Sequence, residues 1–172
     1  ECLPGEQIDD VVAAFERYLH VACATDPWLA DHPIRFERFG LRFDAAGIAH
    51  LMLTEIVDVT DAGWQAAVEA LLAPYRHLVL LKRLHDREAA WRIGERLQYR
   101  SFVTPDLEPP PAAVSGSVLE IARFTGEAPA WLTAWLNRVQ RVEDAAAGAK
   151  CDARQDWITR AGYHRERRGA RH

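Results

Sequence analysis

The sequence predicts an α+β fold, in which helices pack on a small, mainly antiparallel sheet and a short helical C-terminal segment follows. Apolar residues recur at three- and four-residue steps in several segments, as in amphipathic helices. Other segments alternate apolar and polar residues with a period of two, as in strands with one buried face. The proline-rich stretch DLEPPPAAVSGS, residues 106–117, separates these mixed elements from a part whose pattern is helical.

The first half of the chain supplies most of the α+β pattern. A turn at Pro4-Gly5-Glu6 precedes an apolar stripe that runs from Val11 to Ala22, and Pro27 ends this helix. A strand with period two follows at residues 34–39 and continues to Phe43. The later elements are a turn at 44–47, a strand at 51–59, a helix from Asp61 that Pro74 ends, a strand at 77–81 and a helix at 87–99.

The second half predicts a change of architecture. Three consecutive prolines favour extended geometry, so residues 106–117 are expected to be a linker. Helices are predicted beyond it at 118–125, 129–145 and 153–166. The expected organisation is an α+β domain of residues 1–105, the linker, and a helical segment of residues 118–172 with a basic tail.

Size and composition limit the classes of function. With 172 residues, 49% apolar and 27% charged, the chain is expected to be a soluble globular protein with one full core. No apolar run approaches the ~18–20 residues that span a bilayer, so no membrane partner is predicted. Three widely separated cysteines form neither a disulfide framework nor a zinc site, which predicts reduced thiols and a cytoplasmic location.

Charge is distributed unevenly. The net charge of −4 argues against a polyanion-binding chain as a whole. Residues 152–172, however, carry six arginines and three acidic residues. Nucleic-acid binding is therefore expected only if this basic tail takes part in it.

The stretch DPWLADHPIRFERFG, residues 26–40, resembles a motif but contains no set of metal ligands and no nucleophile beside a base. Each of its prominent residues has a turn or packing role. Asp26 can cap the turn that Pro27 opens, and Pro33 favours extended geometry in the residue before it. The predicted structural motif comprises Asp26, Pro27, Trp28, Leu29, His32, Pro33 and Gly40.

This stretch and its surroundings resemble one segment of a known enzyme family. The family is that of the zinc-dependent amidohydrolases, which includes acetylornithine deacetylase and succinyl-diaminopimelate desuccinylase. The order and spacing of the motifs are similar to those of the family: LPGE at residues 3–6, the helix after it, DPWL at 26–29, HP at 32–33 and FG at 39–40. The resemblance covers residues 1–48. It implies the lid, or dimerisation, domain of that family, an α+β unit inserted into the catalytic domain.

The resemblance carries no catalysis with it. The family needs two zinc ions and a glutamate base from a catalytic domain, and neither His164 nor His172 has the context of the family's last ligand. We therefore expect no catalytic residue and no cofactor here, with zinc implied only in the intact family. The leading hypothesis is a non-catalytic association module that forms a homo-oligomer or binds a partner protein. A lid fragment, a truncation or a shifted reading frame would explain the missing motifs.

A weaker hypothesis is a small metal-dependent enzyme. His77, His85, Asp86 and Glu88 are the densest group of potential ligands. They lack the helical spacing of a metal-binding histidine pair, and the two carboxylates fall at a predicted helix start, where they favour the helix dipole. No metal site is therefore predicted. If a metal is bound, these four residues are the candidate ligands.

The alternative hypothesis is a nucleic-acid-binding protein. The segment Ala122–Arg138 has the spacing of a helix-turn-helix, with Gly126 at the turn. Its second helix offers few polar side chains to read bases, so a plain hairpin of two helices remains open as well. The candidate contacts to nucleic acid are Asn137, Arg138, Arg165, Arg167 and Arg168.

Overall fold

The structure is a computed structural model that describes Gly40, residues 42–166 and residues 169–171. Two compact units divide the chain. The first contains residues 40, 42–50 and 81–100 of the described part, and the second contains 51–80, 101–166 and 169–171. The predicted linker of residues 106–117 lies inside the second unit, and the division into domains around it stays a prediction.

The described elements confirm the α+β class. Five helices of four or more residues lie wholly within the described ranges: α1 (Leu53–Ile56), α2 (Gln65–Leu72), α3 (Arg87–Arg96), α4 (Ala130–Arg138) and α5 (Ala145–Gly148). The strands are β1 (His50–Met52), β2 (Val57–Val59), β3 (Val79–Leu81), β4 (Val103–Thr104), β5 (Leu107–Glu108), β6 (Ala122–Phe124), β7 (Ala128–Pro129), β8 (Gln140–Val142), β9 (Trp157–Thr159), β10 (His164–Glu166) and β11 (Gly169–Arg171). Short 3-10 turns lie at Ala73–Tyr75, Leu84–Asp86 and Val118–Glu120.

The first unit packs around Phe43, which is fully buried. Its ring meets the ring of His50 edge to face at 5.2 Å, and its carbonyl accepts the N–H of Ile48 at 2.9 Å. Arg83 donates to the carbonyl of Gly47 and so ties the segment before α3 to the turn. Residues 42–45 are helical, so the prediction that the strand continues through Phe43 is wrong at the described positions.

The second unit contains small sheets of mixed direction. The largest has the order β11-β10-β9-β8, with β8 parallel to β9 and the other pairs antiparallel. A three-stranded sheet has the order β1-β3-β4, and its β3–β4 pair is parallel. Two antiparallel pairs, β2–β6 and β5–β7, complete the described strands.

A similar order of elements occurs twice in the second unit. A helical turn, a strand, a helix and a strand follow one another in α1-β2-α2-β3, with the 3-10 turn Ala73–Tyr75 after α2. The 3-10 turn at Val118–Glu120, β6, α4 and β8 have the same order, with the short strand β7 inserted before α4. The two copies meet where β2 pairs with β6. Helices α2 and α4 both contribute side chains to one buried apolar cluster, including Val68, Leu132 and Leu136, each with 0% exposure.

The predicted strand at 51–59 is interrupted by α1. With a period of two, Leu53 and Ile56 would point to opposite faces, whereas a helical turn brings residues three apart to one face. Both side chains are buried in the structure. The carboxylate of Glu55 accepts the N–H of Met52, which begins the turn. The helical turn forms in place of a continuous strand because it buries both side chains.

The helical interpretation of residues 118–166 is wrong for most of its length. Only α4 and the short α5 are α-helical there, and β6 to β10 occupy much of the rest. Trp157, Ile158 and Thr159 are all buried, and aromatic and β-branched side chains favour a strand that is covered on both faces. Gly162, with φ of +85°, makes the turn that leads from β9 to β10.

The close packing of Gly148 on Trp157 generates a test of this fold. A Cβ at residue 148 would lie 2.5 Å from Cε2 of the Trp157 ring. We expect Gly148→Ala to lower the free energy of unfolding by about 1–3 kcal/mol in urea titrations, because a crowded core must shift to admit it. Ala146→Ser, at an exposed position of the same helix, should change it by less than about 0.5 kcal/mol. Equal stability of the two variants would contradict this packing.

Candidate functional site

The four-stranded sheet has one open edge among the described residues. Its β8 edge is covered, since Arg141 N–H donates to the carbonyl of Gly116 at 2.8 Å and Ser117 bridges to Gln140. At the other edge β11 pairs with β10, and no described strand lies beyond it. An open edge presents unpaired backbone N–H and C=O groups, which can pair with another chain. The outer side of β11 is therefore a candidate association surface.

Sequence reasoning missed this edge because it predicted a helix at 153–166, where the structure has β9 and β10, and only a basic tail beyond it. A signal was present in DWITRAGYHRE, residues 156–166, where an aromatic and β-branched run precedes Ala-Gly. That combination is typical of a hairpin. The structure pairs His164 with Ile158 and Arg165 with Trp157 across the turn.

Asn137 holds a loop together through its side-chain amide. Its side-chain oxygen accepts the N–H of Val114 at 2.7 Å and the hydroxyl of Ser117 at 3.2 Å. Its amide nitrogen donates to the carbonyl of Ala112 at 3.0 Å. The side chain therefore organises residues 112–117 beside the C-terminal end of α4. The next residue, Arg138, is exposed.

Arg165 is likewise engaged within the chain. Its guanidinium donates to the carbonyl of Gln155 at 3.0 Å and to the carbonyl of Ala153 at 2.7 Å. These bonds stabilise the loop before β9. Arg167 and Arg168, the other predicted contacts in the basic tail, lie outside the described residues, as do the members of the structural motif between positions 26 and 33. Gly40, the last residue of that motif, has space for a Cβ 3.7 Å from Nε2 of His50.

The metal-ligand candidates have other roles. In the first unit, His85 Nε2 lies 3.4 Å from a carboxylate oxygen of Asp86, whose other oxygen accepts the Nε–H of Arg83 at 2.8 Å. Glu88 is exposed in the first turn of α3, as its position at a helix start predicted. In the second unit, His77 Nε2 accepts the Nε–H of Arg76 at 2.9 Å. Across the part of the chain that is described, no group of three or more His, Cys, Asp or Glu residues could hold a metal ion.

His77 is tuned toward its neutral form. Burial lowers the pKa of this imidazole below its ordinary value of 6.5, and the charge of Arg76 lowers it further. The hydrogen bond from Arg76 also needs an unprotonated Nε2 as its acceptor. The arrangement therefore stabilises a neutral histidine, so His77 adds no positive charge to this surface.

The role of Asn137 can be measured. Asn137→Ala removes the partners of Val114, Ser117 and Ala112, and we expect it to lower the free energy of unfolding by about 1–3 kcal/mol. Arg138→Ala, at the exposed neighbouring position, should change it by less than about 0.5 kcal/mol. Urea titration of both variants distinguishes the loop anchor from its neighbour, and equal values would contradict the anchoring role.

Titration of His77 by NMR provides a second measurement. We expect its midpoint to lie below pH 6.5 and to rise toward that value in Arg76→Gln, because the nearby positive charge is removed. Since the unfolded chain binds this proton more readily, the stabilising contribution is complete above pH 6.5. It is lost as the pH falls through the lowered pKa. A midpoint at or above 6.5 in the unmodified protein would contradict this environment.

No helix in the described ranges is both long and apolar enough to cross a lipid bilayer. No protein-family model matches the chain, and no curated protein sequence matches it. The solved structures, in contrast, do contain similar folds.

Three solved structures of SMC hinge domains are similar to this chain. The Pyrococcus furiosus Smc hinge domain with an extended coiled coil superposes with a TM-score of 0.65 at 18% identity, over 98% of this chain and 65% of that one. An asymmetric dimer of the Geobacillus stearothermophilus SMC hinge domain gives a TM-score of 0.59 at 15% identity, over 96% of this chain and 78% of that one. A second P. furiosus hinge structure gives 0.55 at 17% identity, over 79% and 83%.

These likenesses overturn the amidohydrolase resemblance, because the neighbours are hinge domains and not lid domains. Each of its short motifs contains Pro or Gly, residue types that turns in many unrelated proteins require. With it falls the expectation of zinc in an intact relative.

The helix-turn-helix hypothesis is also wrong. Residues 122–124 form β6, paired with β2, so the segment before the turn is a strand and not the first helix of such a motif. Gly126 does occupy a turn, with φ of +98°, but the turn joins two strands. The chain has a fold similar to that of SMC hinge domains.

Proposed function

We propose that this chain is a dimerisation module of the hinge type, which associates with a second copy of itself. The observation that carries the proposal is the likeness of nearly the whole chain to a hinge domain that was solved as an asymmetric dimer. The open edge of β11 supplies a physical means, because backbone pairing can continue from this strand into a partner. The chain covers 65% of the length of the P. furiosus hinge with its coiled coil, and no role of that larger protein is transferred here.

The short length of β11 shapes this proposal. Three residues offer few hydrogen bonds, so backbone pairing would set the register of the partner, while buried apolar surface supplies most of the affinity. Phe102, Val114 and Trp131 are large exposed apolar side chains of the second unit, at 65%, 52% and 42% exposure. They are available for such burial. The homo-oligomer predicted from the sequence is retained in this form, and the cytoplasmic location stays a prediction.

Two proline variants test the edge directly. In an antiparallel pair, the N–H groups of successive residues point alternately toward the partner strand and away from it. Ala170 and Arg171, which pair with Arg165 and His164, therefore direct their N–H groups to opposite sides of β11. Proline has no N–H, so one variant of the pair Ala170→Pro and Arg171→Pro alters the outer edge and the other alters the β10–β11 pairing.

We expect one of these variants to raise the dimer dissociation constant about tenfold, with an unfolding temperature close to that of the unmodified chain. Its counterpart should lose stability first, and Ala170→Ser, which keeps the N–H, should leave the dimer unchanged. Light scattering across a concentration series and thermal unfolding provide the two readouts. A monomeric unmodified chain would contradict the proposed function, and a dimer insensitive to both prolines would move the interface away from β11.

A further inference from the structure

The outer edge of β2 also presents unpaired backbone groups, in a different place from β11. Thr125 N–H donates to Ile56 C=O at 2.7 Å, and Thr60 N–H donates to Ile121 C=O at 2.9 Å. These bonds place Asp58, opposite Arg123, in the hydrogen-bonded class of pairs. Val57 and Val59 are therefore in the other class, and their backbone groups point away from β6.

Three of these four outward groups have no partner among the residues that the structure describes. Val57 N–H is taken by the carbonyl of Leu53 at the end of α1. The carbonyl of Val57 and both the N–H and the carbonyl of Val59 remain. Two residues along a strand span about 7 Å, which is the repeat at which an added strand exchanges hydrogen bonds. The edge thus offers the pattern that an extended backbone would pair with.

A groove lies along this edge, inside the second unit. It has a volume of about 420 Å³, with β2 on one side and one face of α2 and the following turn on the other. The residues of the helical wall are spaced four, three, one and three positions apart, which places them on one face of the helix. The lining residues are Leu53, Thr54, Val57, Asp58, Val59, Gln65, Glu69, Leu72, Ala73 and Arg76.

The charges of the groove favour a basic occupant. Asp58 on the strand and Glu69 on the helix are exposed carboxylates of the groove, and Arg76 supplies the one guanidinium of its lining. The exposed Arg123 lies opposite Asp58 on β6, outside that lining. The Nε–H of Arg76 is donated to His77, which leaves it less available to the groove. Glu69 accepts only the side-chain amide of Gln65, at 2.9 Å, so one of its oxygens faces no donor in the described part.

We propose that this groove binds an extended peptide segment that carries a lysine or arginine and pairs as an added strand with β2. Backbone bonds to Val57 and Val59 would provide affinity, while alternate side chains contact the apolar wall and the carboxylates. An extended backbone satisfies the edge at the required repeat, whereas a compact small molecule would leave part of it unpaired. This inference goes beyond dimerisation, because β2 and β11 belong to different sheets.

A phage-displayed library of random linear dodecapeptides, selected on the purified full chain, tests the proposal. We expect enrichment of sequences with a basic residue among apolar ones. Synthetic copies of the selected peptides should shift backbone amide NMR signals of residues 57–59 and 65–76. Their dissociation constants would be measured by fluorescence polarisation against the unmodified chain and four variants.

Two matched pairs of variants separate the contribution of backbone pairing at the β2 edge from that of the groove's negative charge. Val59→Pro removes the outward N–H without touching a β2–β6 bond and should weaken the selected peptides about tenfold. Val59→Ala keeps that N–H and should weaken them less than about threefold. Glu69→Lys should weaken basic peptides about fivefold, while Glu95→Lys, an exposed glutamate of α3, should not change their affinity.

Each outcome decides the question. Failure to enrich any common peptide, or binding that is insensitive to both Val59→Pro and Glu69→Lys, overturns the proposal. NMR shifts confined to other residues do the same. If Val59→Pro instead dissociates the dimer, the groove is occupied by a second copy and not by a peptide. A dimer lost only in the β11 variants leaves this inference standing and concerns the proposed function alone.

Discussion

The antiparallel pairing of β2 with β6 is the constraint on which the second unit depends. It joins the two copies of the turn-strand-helix-strand order, because each copy contributes one of the paired strands. The same pairing directs Val57 and Val59 so that they pack against the apolar cluster that also takes Val68 and Leu132. A change of register by one residue would turn these side chains away from the core and reverse the edge groups of β2.

Side chains hold much of the structure between the short strands. Arg141 donates to the carbonyl of Ser117, forms an ion pair with Glu120 and lies 5.6 Å from the ring centre of Trp64. Arg160 lies 5.5 Å from the same ring. Asn137 and Arg165 bind the carbonyls of loops in a similar way. A chain with strands of two or three residues leaves many carbonyls outside its sheets, and long cationic side chains reach them.

The edges of β11 and β2, both open among the described residues, differ in their surroundings, and this difference separates their proposed partners. The edge of β11 terminates the largest described sheet, as expected of a surface that extends into a second copy. The edge of β2 lies in a groove beside α2, where two carboxylates restrict what can enter. The groove at β2 therefore suits a basic peptide, whereas pairing of β11 with a second copy needs no carboxylates beside the edge.

Local sequence patterns determined the class of the fold and several of its helices and strands. Helix α2 and its end near Pro74, the helix at Arg87–Arg96 and the buried strand Val79–Leu81 follow from periodicity, proline geometry and composition within a few residues. Tertiary structure decided the rest. Strands as short as Ala122–Phe124 contain too little of an alternating pattern to be recognised, and only pairing with Val57–Val59 makes them strands. No local pattern predicts the bonds of Asn137 and Arg165, because their partners, the carbonyls and N–H groups of loops, become neighbours only when the chain folds.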